Sequence, residues 1–92
     1  MDEFCVEEVG LNIVAVFLKP TKEKVKFVDF FLNKKNIGQY YNKPGTDFIS
    51  YDANLLKQKL IKKEHKEAIY NFMKKYFSIE IEKEVAFINL TD

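Results

Sequence analysis

The stretch that decides the fold is residues 37–51, IGQYYNKPGTDFISY, in which two largely apolar and aromatic runs flank a short polar break. Pro44 followed by Gly45 is typical of a type II turn, because proline fixes φ at the second position and glycine accepts a positive φ at the third. The flanking runs, residues 37–42 and 47–51, are therefore predicted to pair as an antiparallel β-hairpin.

After the hairpin, the sequence predicts two helices or one bent helix, followed by a strand. Asp52 is a suitable N-cap for a helix over residues 53–77. The apolar positions change face within residues 62–67, KKEHKE, and the helix is expected to break there. Residues 78–90 alternate apolar and acidic side chains, which fits one long strand or a hairpin that turns at Lys83-Glu84.

Before the hairpin, the sequence predicts two strands and a helix. Residues 11–18 are apolar at nearly every position, which is typical of a central strand that is covered on both faces. A further strand is expected at residues 4–9, with Gly10 as the turn. Residues 22–35 are assigned to a helix, because their apolar side chains, among them Phe30, fall on one broad arc at about 100° per residue.

These elements indicate one domain, residues 1–92, of the α+β class. Their order, β–α–β–β–α–β, is that of the ferredoxin-like split βαβ fold. The expected packing is a mainly antiparallel sheet with its helices on one face.

The composition favours a globular protein of the cytoplasm. The chain is 47% hydrophobic and 32% charged, and its longest apolar run, residues 13–18, falls far short of the ~20 residues that span a bilayer. An acidic start and a single cysteine, Cys5, favour the same compartment. The chain has fifteen lysines, no arginine and many Asn, Ile, Phe and Tyr residues. This composition indicates AT-rich coding DNA, as in many phages, other viruses and some bacteria.

Neither catalysis nor a metal or cofactor is expected. Cys5 and His65 could form a nucleophile–base pair, but neither lies in a supporting motif. Glu80, Glu82 and Glu84 could hold a divalent cation, although charges on a solvated strand face explain them as well. The sequence also lacks a Cys/His cluster and a glycine-rich phosphate loop.

Aromatic residues are the best candidates for a binding surface. The candidate partner-binding set is Phe30, Tyr40, Tyr41, Lys43, Phe48 and Tyr51. Aromatic side chains beyond the needs of a small core mark protein interfaces. We therefore expect a protein partner, in an accessory protein or an inhibitor of a host factor, and a homodimer through residues 22–35 or an edge strand is compatible with this expectation.

Two short segments resemble RNA recognition motif domains. Phe48-Ile49-Ser50-Tyr51 resembles the end of that family's third-strand signature, and Val16-Phe17-Leu18 resembles the core of its first-strand signature. Asp47 departs from the signature and adds a negative charge. The resemblance implies single-stranded RNA or DNA binding as the alternative function, with bases stacked on the aromatic residues Tyr40, Phe48 and Tyr51.

Overall fold

The computed structural model describes residues 3–18 and 24–88 of the chain. It contains six strands, namely β1 (Phe4–Gly10), β2 (Ile13–Leu18), β3 (Phe27–Leu32), β4 (Lys35–Lys43), β5 (Thr46–Asp52) and β6 (Lys83–Phe87). Two helices, α1 (Ala53–Lys57) and α2 (Lys63–Phe77), lie between β5 and β6.

The six strands form one sheet in which neighbours in sequence are neighbours in space, in the order β1-β2-β3-β4-β5-β6. The first five strands are antiparallel, whereas β6 is parallel to β5. A parallel pair needs a long crossover connection, which α1 and α2 provide. The α+β class and the mainly antiparallel sheet are confirmed. The ferredoxin-like order is not confirmed, because the described strands β1 to β5 all precede the helices.

Tight turns set the register of the strands. Both residues of Leu11-Asn12, and both of Asn33-Lys34, have positive φ, which is the conformation of type I′ hairpin turns. Gly45 has a φ of 86° after Pro44, as the type II turn requires, and Lys43 lies opposite Thr46. The predicted hairpin is confirmed.

The predicted helix over residues 22–35 is wrong for the residues that the structure describes, 24–35. This segment forms β3, the turn at Asn33-Lys34 and the start of β4. β3 carries apolar side chains on both faces, with Phe27 and Phe31 on one face and Val28 and Phe30 on the other. The strand therefore lacks the alternation of apolar and polar residues. A homodimer contact through Phe27–Leu32 would therefore use a strand and not a helix.

The two helices begin and end close to the predicted positions. Asp52 caps α1, because its Oδ1 accepts a hydrogen bond of 3.1 Å from the backbone N–H of Leu55. The chain then breaks between Lys57 and Lys63, so it forms two helices, which is one of the two predicted alternatives. The predicted position of the break, residues 62–67, is wrong, because residues 63–67 form the start of α2. Of residues 78–90, the structure describes residues 78–88, and only Lys83–Phe87 form a strand.

The core lies between α2 and one face of the sheet. Ile69 and Met73 of α2 are fully buried, as are the inward side chains of the middle strands: Ile13, Ala15, Val28, Phe30, Tyr40, Ile49 and Tyr51. The helix crosses the sheet from β6, where Tyr70 contacts Glu84, to β1, where Tyr76 contacts Glu7. No helix in the described part of the chain is long and apolar enough to cross a membrane.

Candidate functional site

The side of the sheet opposite α2, here called the open face, carries apolar side chains on all six strands. No described helix packs on it, because the helix contacts of the sheet lie on the core side. The prediction that β2 is covered on both faces is therefore wrong for the described residues. The register places eleven apolar side chains on the open face, namely Phe4, Val6, Val14, Val16, Leu18, Phe27, Phe31, Tyr41, Phe48, Val85 and Phe87.

An aromatic row crosses the open face near one end of the strands. Phe4 lies opposite Leu18 on β2. Tyr41 lies opposite both Phe27 and Phe48, and continuing the β2–β3 register places Leu18 opposite Phe27. The rings of Tyr41 and Phe48 are stacked, with centroids 5.2 Å apart. These five residues, the aromatic row, form a continuous apolar band in which Phe4 is 72% and Phe27 57% exposed.

Polar side chains occupy the centre of the open face and satisfy one another. Gln39 donates from Nε2 to Asp29 Oδ1 at 2.8 Å, across the β3–β4 pair. Ser50 on β5 donates to the backbone carbonyl of Gln39 at 3.2 Å. Because these groups are paired with each other, the centre of the face can be covered at a smaller cost in desolvation than unpaired groups would impose.

The two type I′ turns frame a cavity at the other end of the open face. It has a volume of about 670 Å³ and includes Val14, Val16 and Phe31 in its lining, with Asn33 and Leu11 at the turns. Lys43 lies at the opposite end, with its Nζ 5.8 Å from the centroid of the Phe48 ring. The open face therefore combines an aromatic row, a polar centre and an apolar recess.

The structure divides the sequence-predicted binding residues between the two faces of the sheet. Three of them lie on the open face, namely Tyr41, Lys43 and Phe48. The other three lie in the core with 0–1% of their surface exposed, namely Phe30, Tyr40 and Tyr51. The platform of Tyr40, Phe48 and Tyr51 is therefore not assembled, because residues three apart in a strand point to opposite faces.

Tyr40 has a structural role at the end of the core. Its hydroxyl donates to Asp47 Oδ1 at 2.7 Å, and Asn42 donates to the same oxygen. Burial, followed by the hydrogen bond to Asp47, raises the pKa of the Tyr40 hydroxyl. The phenol therefore remains protonated at physiological pH and holds the β4–β5 hairpin together.

A second polar cluster joins α2 to β6. Glu84 accepts hydrogen bonds from Lys66 Nζ and Tyr70 Oη. The Tyr51 hydroxyl is buried nearby, beside that of Tyr70, and burial raises its pKa. Burial, with the hydrogen bond to Glu84, raises the pKa of Tyr70 to about 12. Desolvation alone would raise the pKa of Glu84, but the hydrogen bonds from Lys66 and Tyr70 hold it below its ordinary value.

The low pKa of Glu84 predicts a stability that depends on pH. A carboxylate with a depressed pKa stabilises the fold above its unfolded pKa, and this stability is lost as the pH falls through its folded pKa. We expect Glu84→Gln to lower the free energy of unfolding at pH 7 by about 0.5–1 kcal/mol, since the group is partly exposed. Urea titrations at pH 7 and pH 3 should show a difference from wild type that disappears at the lower pH.

Glu80→Gln is the matched control for this prediction. Glu80 pairs with Lys74 at 3.4 Å, but both side chains are largely exposed, and we expect Glu80→Gln to have a smaller effect than Glu84→Gln at pH 7. Equal effects of the two substitutions at pH 7, or a Glu84→Gln difference that persists at pH 3, would contradict the assignment.

The residues considered for catalysis and metal binding are not brought together. His65 lies at the start of α2, where its Nδ1 accepts a hydrogen bond of 3.0 Å from the backbone N–H of Lys62. Cys5 lies on β1, which contacts the opposite end of α2. Within residues 3–18 and 24–88, no group of three or more His, Cys, Asp or Glu side chains is placed to hold a metal ion. Glu84 bonds to α2, and Glu82 Oε2 accepts from the backbone of Asp47.

Sequence reasoning missed most of the open face. Phe4, Val6 and Phe27 are exposed there but were not among the predicted binding residues. The signal was present in IVAVFL and FVDFFL, residues 13–18 and 27–32, because an antiparallel strand with one solvated face should alternate apolar and polar residues.

Comparison with protein-family models, with curated proteins and with solved structures finds no match to this chain.

Proposed function

We propose that this chain is a small non-catalytic binding protein that acts through a protein partner held on the open face of its sheet. The observation that carries the proposal is the apolar open face, with the exposed side chains of Phe4, Val6, Leu18 and Phe27 on adjacent strands. Contiguous apolar surface of more than a few hundred Å² on a small domain marks an interaction site. The lysine-rich, arginine-free composition supports an accessory protein of a phage or virus, for which inhibition of a host factor is the proposed outcome.

The charge of the open face favours a protein over nucleic acid. Glu8 and Asp29 contribute two negative charges to this face, and Lys43 and Lys83 contribute two positive charges. Nucleic-acid binding draws most of its affinity from neutralised phosphates, which requires a clear excess of positive charge. The stacked rings of Tyr41 and Phe48 beside Lys43 keep single-stranded nucleic acid as the alternative function.

Substituting Phe27 tests the proposed function. We expect Phe27→Lys to abolish capture of a protein partner from host lysate, because it places a charge in the middle of the aromatic row. Leu60→Lys is the matched control, since Leu60 is similarly exposed at 51% but lies between the helices. Tagged wild-type and variant chains are compared by pull-down with and without nuclease, followed by mass spectrometry.

The outcomes of this pull-down separate the alternatives. A stoichiometric protein that binds wild type and Leu60→Lys, but not Phe27→Lys, supports the proposal. A protein that binds Phe27→Lys as well as wild type places the interface elsewhere. Capture that is lost on nuclease treatment favours the nucleic-acid alternative.

A further inference from the structure

The open face is large enough to be one half of a two-sheet interface. Six strands about 4.8 Å apart and three rows of outward side chains make a face of about 29 by 20 Å, or roughly 580 Å² in projection. Two such faces in contact bury a total projected area of roughly 1,150 Å², and the uneven surface of the side chains adds to it. This area exceeds the ~1,000 Å² that a specific interface needs. Sheets that pack face to face bury such surfaces in β-sandwiches.

We propose that the occupant of the open face is a second copy of this chain, related by a two-fold axis that runs roughly along the strands between β3 and β4. This inference rests on the proposed function, since it takes the open face to be a protein-binding surface. A second copy and a host protein then compete for the same face. A two-fold interface uses the same patch on both subunits, so the patch must be complementary to itself. The positions of the polar groups on this face meet that condition.

The centre of the face is self-complementary. The axis places Asp29 of one copy over Gln39 of the other, because these residues are opposite each other on β3 and β4. A primary amide has two N–H donors, so Gln39 can donate to Asp29 of its own chain and to Asp29 of the second copy. Two reciprocal hydrogen bonds at the centre would fix the register of the two sheets.

The edges of the face place a charged side chain over an aromatic ring. The same axis places β1 of one copy over β6 of the other. Lys83 on β6 lies in the same row across the sheet as Phe4 on β1, so Lys83 of each copy lies over Phe4 of the other. Glu8 lies two rows away, at the opposite end of β1 from Phe4, and does not meet Lys83. In the aromatic row, Phe27 of each copy lies over Tyr41 of the other.

The test is the mass of the purified chain in solution. Sedimentation equilibrium or light scattering at about 1–500 µM covers the dissociation constants expected of an interface of this size. We expect wild type and Leu60→Lys to have twice the mass of the 10.9 kDa chain. Phe27→Lys and Val6→Lys should raise the dissociation constant at least about 100-fold, the effect of losing a central apolar contact. Circular dichroism checks that both exposed-site variants remain folded.

Each outcome decides the proposal. A dimer that is lost in both open-face variants and kept in Leu60→Lys supports it. A wild-type chain that remains monomeric over the whole range overturns it, and so does a dimer that persists in Phe27→Lys and Val6→Lys.

The pull-down is read separately. A monomer whose partner capture is lost in Phe27→Lys retains the proposed function with a different protein on the face, whereas a monomer whose capture is unchanged contradicts both proposals.

Discussion

Truncating Phe30 to alanine is expected to lower the free energy of unfolding by about 3–5 kcal/mol, the usual cost of removing a buried phenylalanine. Phe30 is fully buried in β3, lies opposite Gly38 on β4, and meets Phe72 of α2 edge to face with ring centroids 6.3 Å apart. A domain of this kind has a total stability of about 5–15 kcal/mol, so the loss is a large fraction of it. Urea denaturation measures the effect.

Phe27→Ala is the matched control, because it removes the same side chain from the same strand. Phe27 is on the open face and 57% exposed, so we expect a loss below about 1 kcal/mol in the monomer. If wild type dimerises, the comparison is made at a concentration at which it is monomeric, because association adds to apparent stability. Similar losses for the two variants would mean that β3 does not separate a core face from an open face.

Replacing Gly38 by alanine is expected to cost about 2–3 kcal/mol or more, at the upper end of the range for overpacked cores. A Cβ at this position would lie 2.6 Å from the backbone carbonyl oxygen of Ser50 and 3.2 Å from Cδ1 of Tyr51. The carbonyl oxygen belongs to the paired β5 strand and cannot move away without weakening the β4–β5 pairing. Thermal unfolding should show a melting temperature roughly 10–20 °C lower, at 4–8 °C per kcal/mol.

Lys43→Ala provides the comparison for Gly38→Ala. Lys43 is exposed at the end of the same strand, and its removal should change stability by no more than about 0.5 kcal/mol. A Gly38→Ala protein that melts within a few degrees of wild type would show that β4 and β5 do not approach as closely at this point as the structure has it.

The parts of the fold that local chemistry determines were predictable from the sequence. Pro44-Gly45 has few conformational options, and the hairpin around it was predicted together with its turn type. Asp52 was predicted as a helix cap because a carboxylate satisfies the free N–H groups of the first helical turn. The change of apolar face indicated two helices or one bent helix, but the break lies at residues 58–62 and not within the predicted residues 62–67.

The parts that depend on packing were not predictable in the same way. Periodicity distinguishes a strand from a helix only when one face is polar, and β3 is apolar on both faces. The order of the strands followed this error, since a false helix at residues 22–35 produced the ferredoxin-like order. The misassignment and the proposed binding surface have the same origin, because Phe27 and Phe31, which obscured the strand pattern, lie on the open face.

The candidate site was only half predictable for a related reason. Tyr41 and Phe48 were selected as hairpin aromatics and do lie on the open face, opposite each other. Tyr40 and Tyr51 were selected on the same basis and lie in the core. Alternation along a strand separates the two pairs, but which pair faces α2 is decided by the helix, which is distant in sequence.

The sequential order of the strands has a consequence for how the chain acquires its structure. In β1 to β5 each strand pairs with the next one along the chain, so these contacts close short loops and can form early and quickly during synthesis. The parallel β6 is different, because its pairing with β5 must wait until the residues of α1 and α2 have been made and have folded across the sheet. Until then the core face of the nascent sheet is also uncovered, so for a short period the sheet exposes apolar residues on both sides. Proteins in this state aggregate readily, and a chain of this design therefore benefits from completing residues 53–87, which form α1, α2 and β6, without delay, about 2–7 s at ordinary synthesis rates.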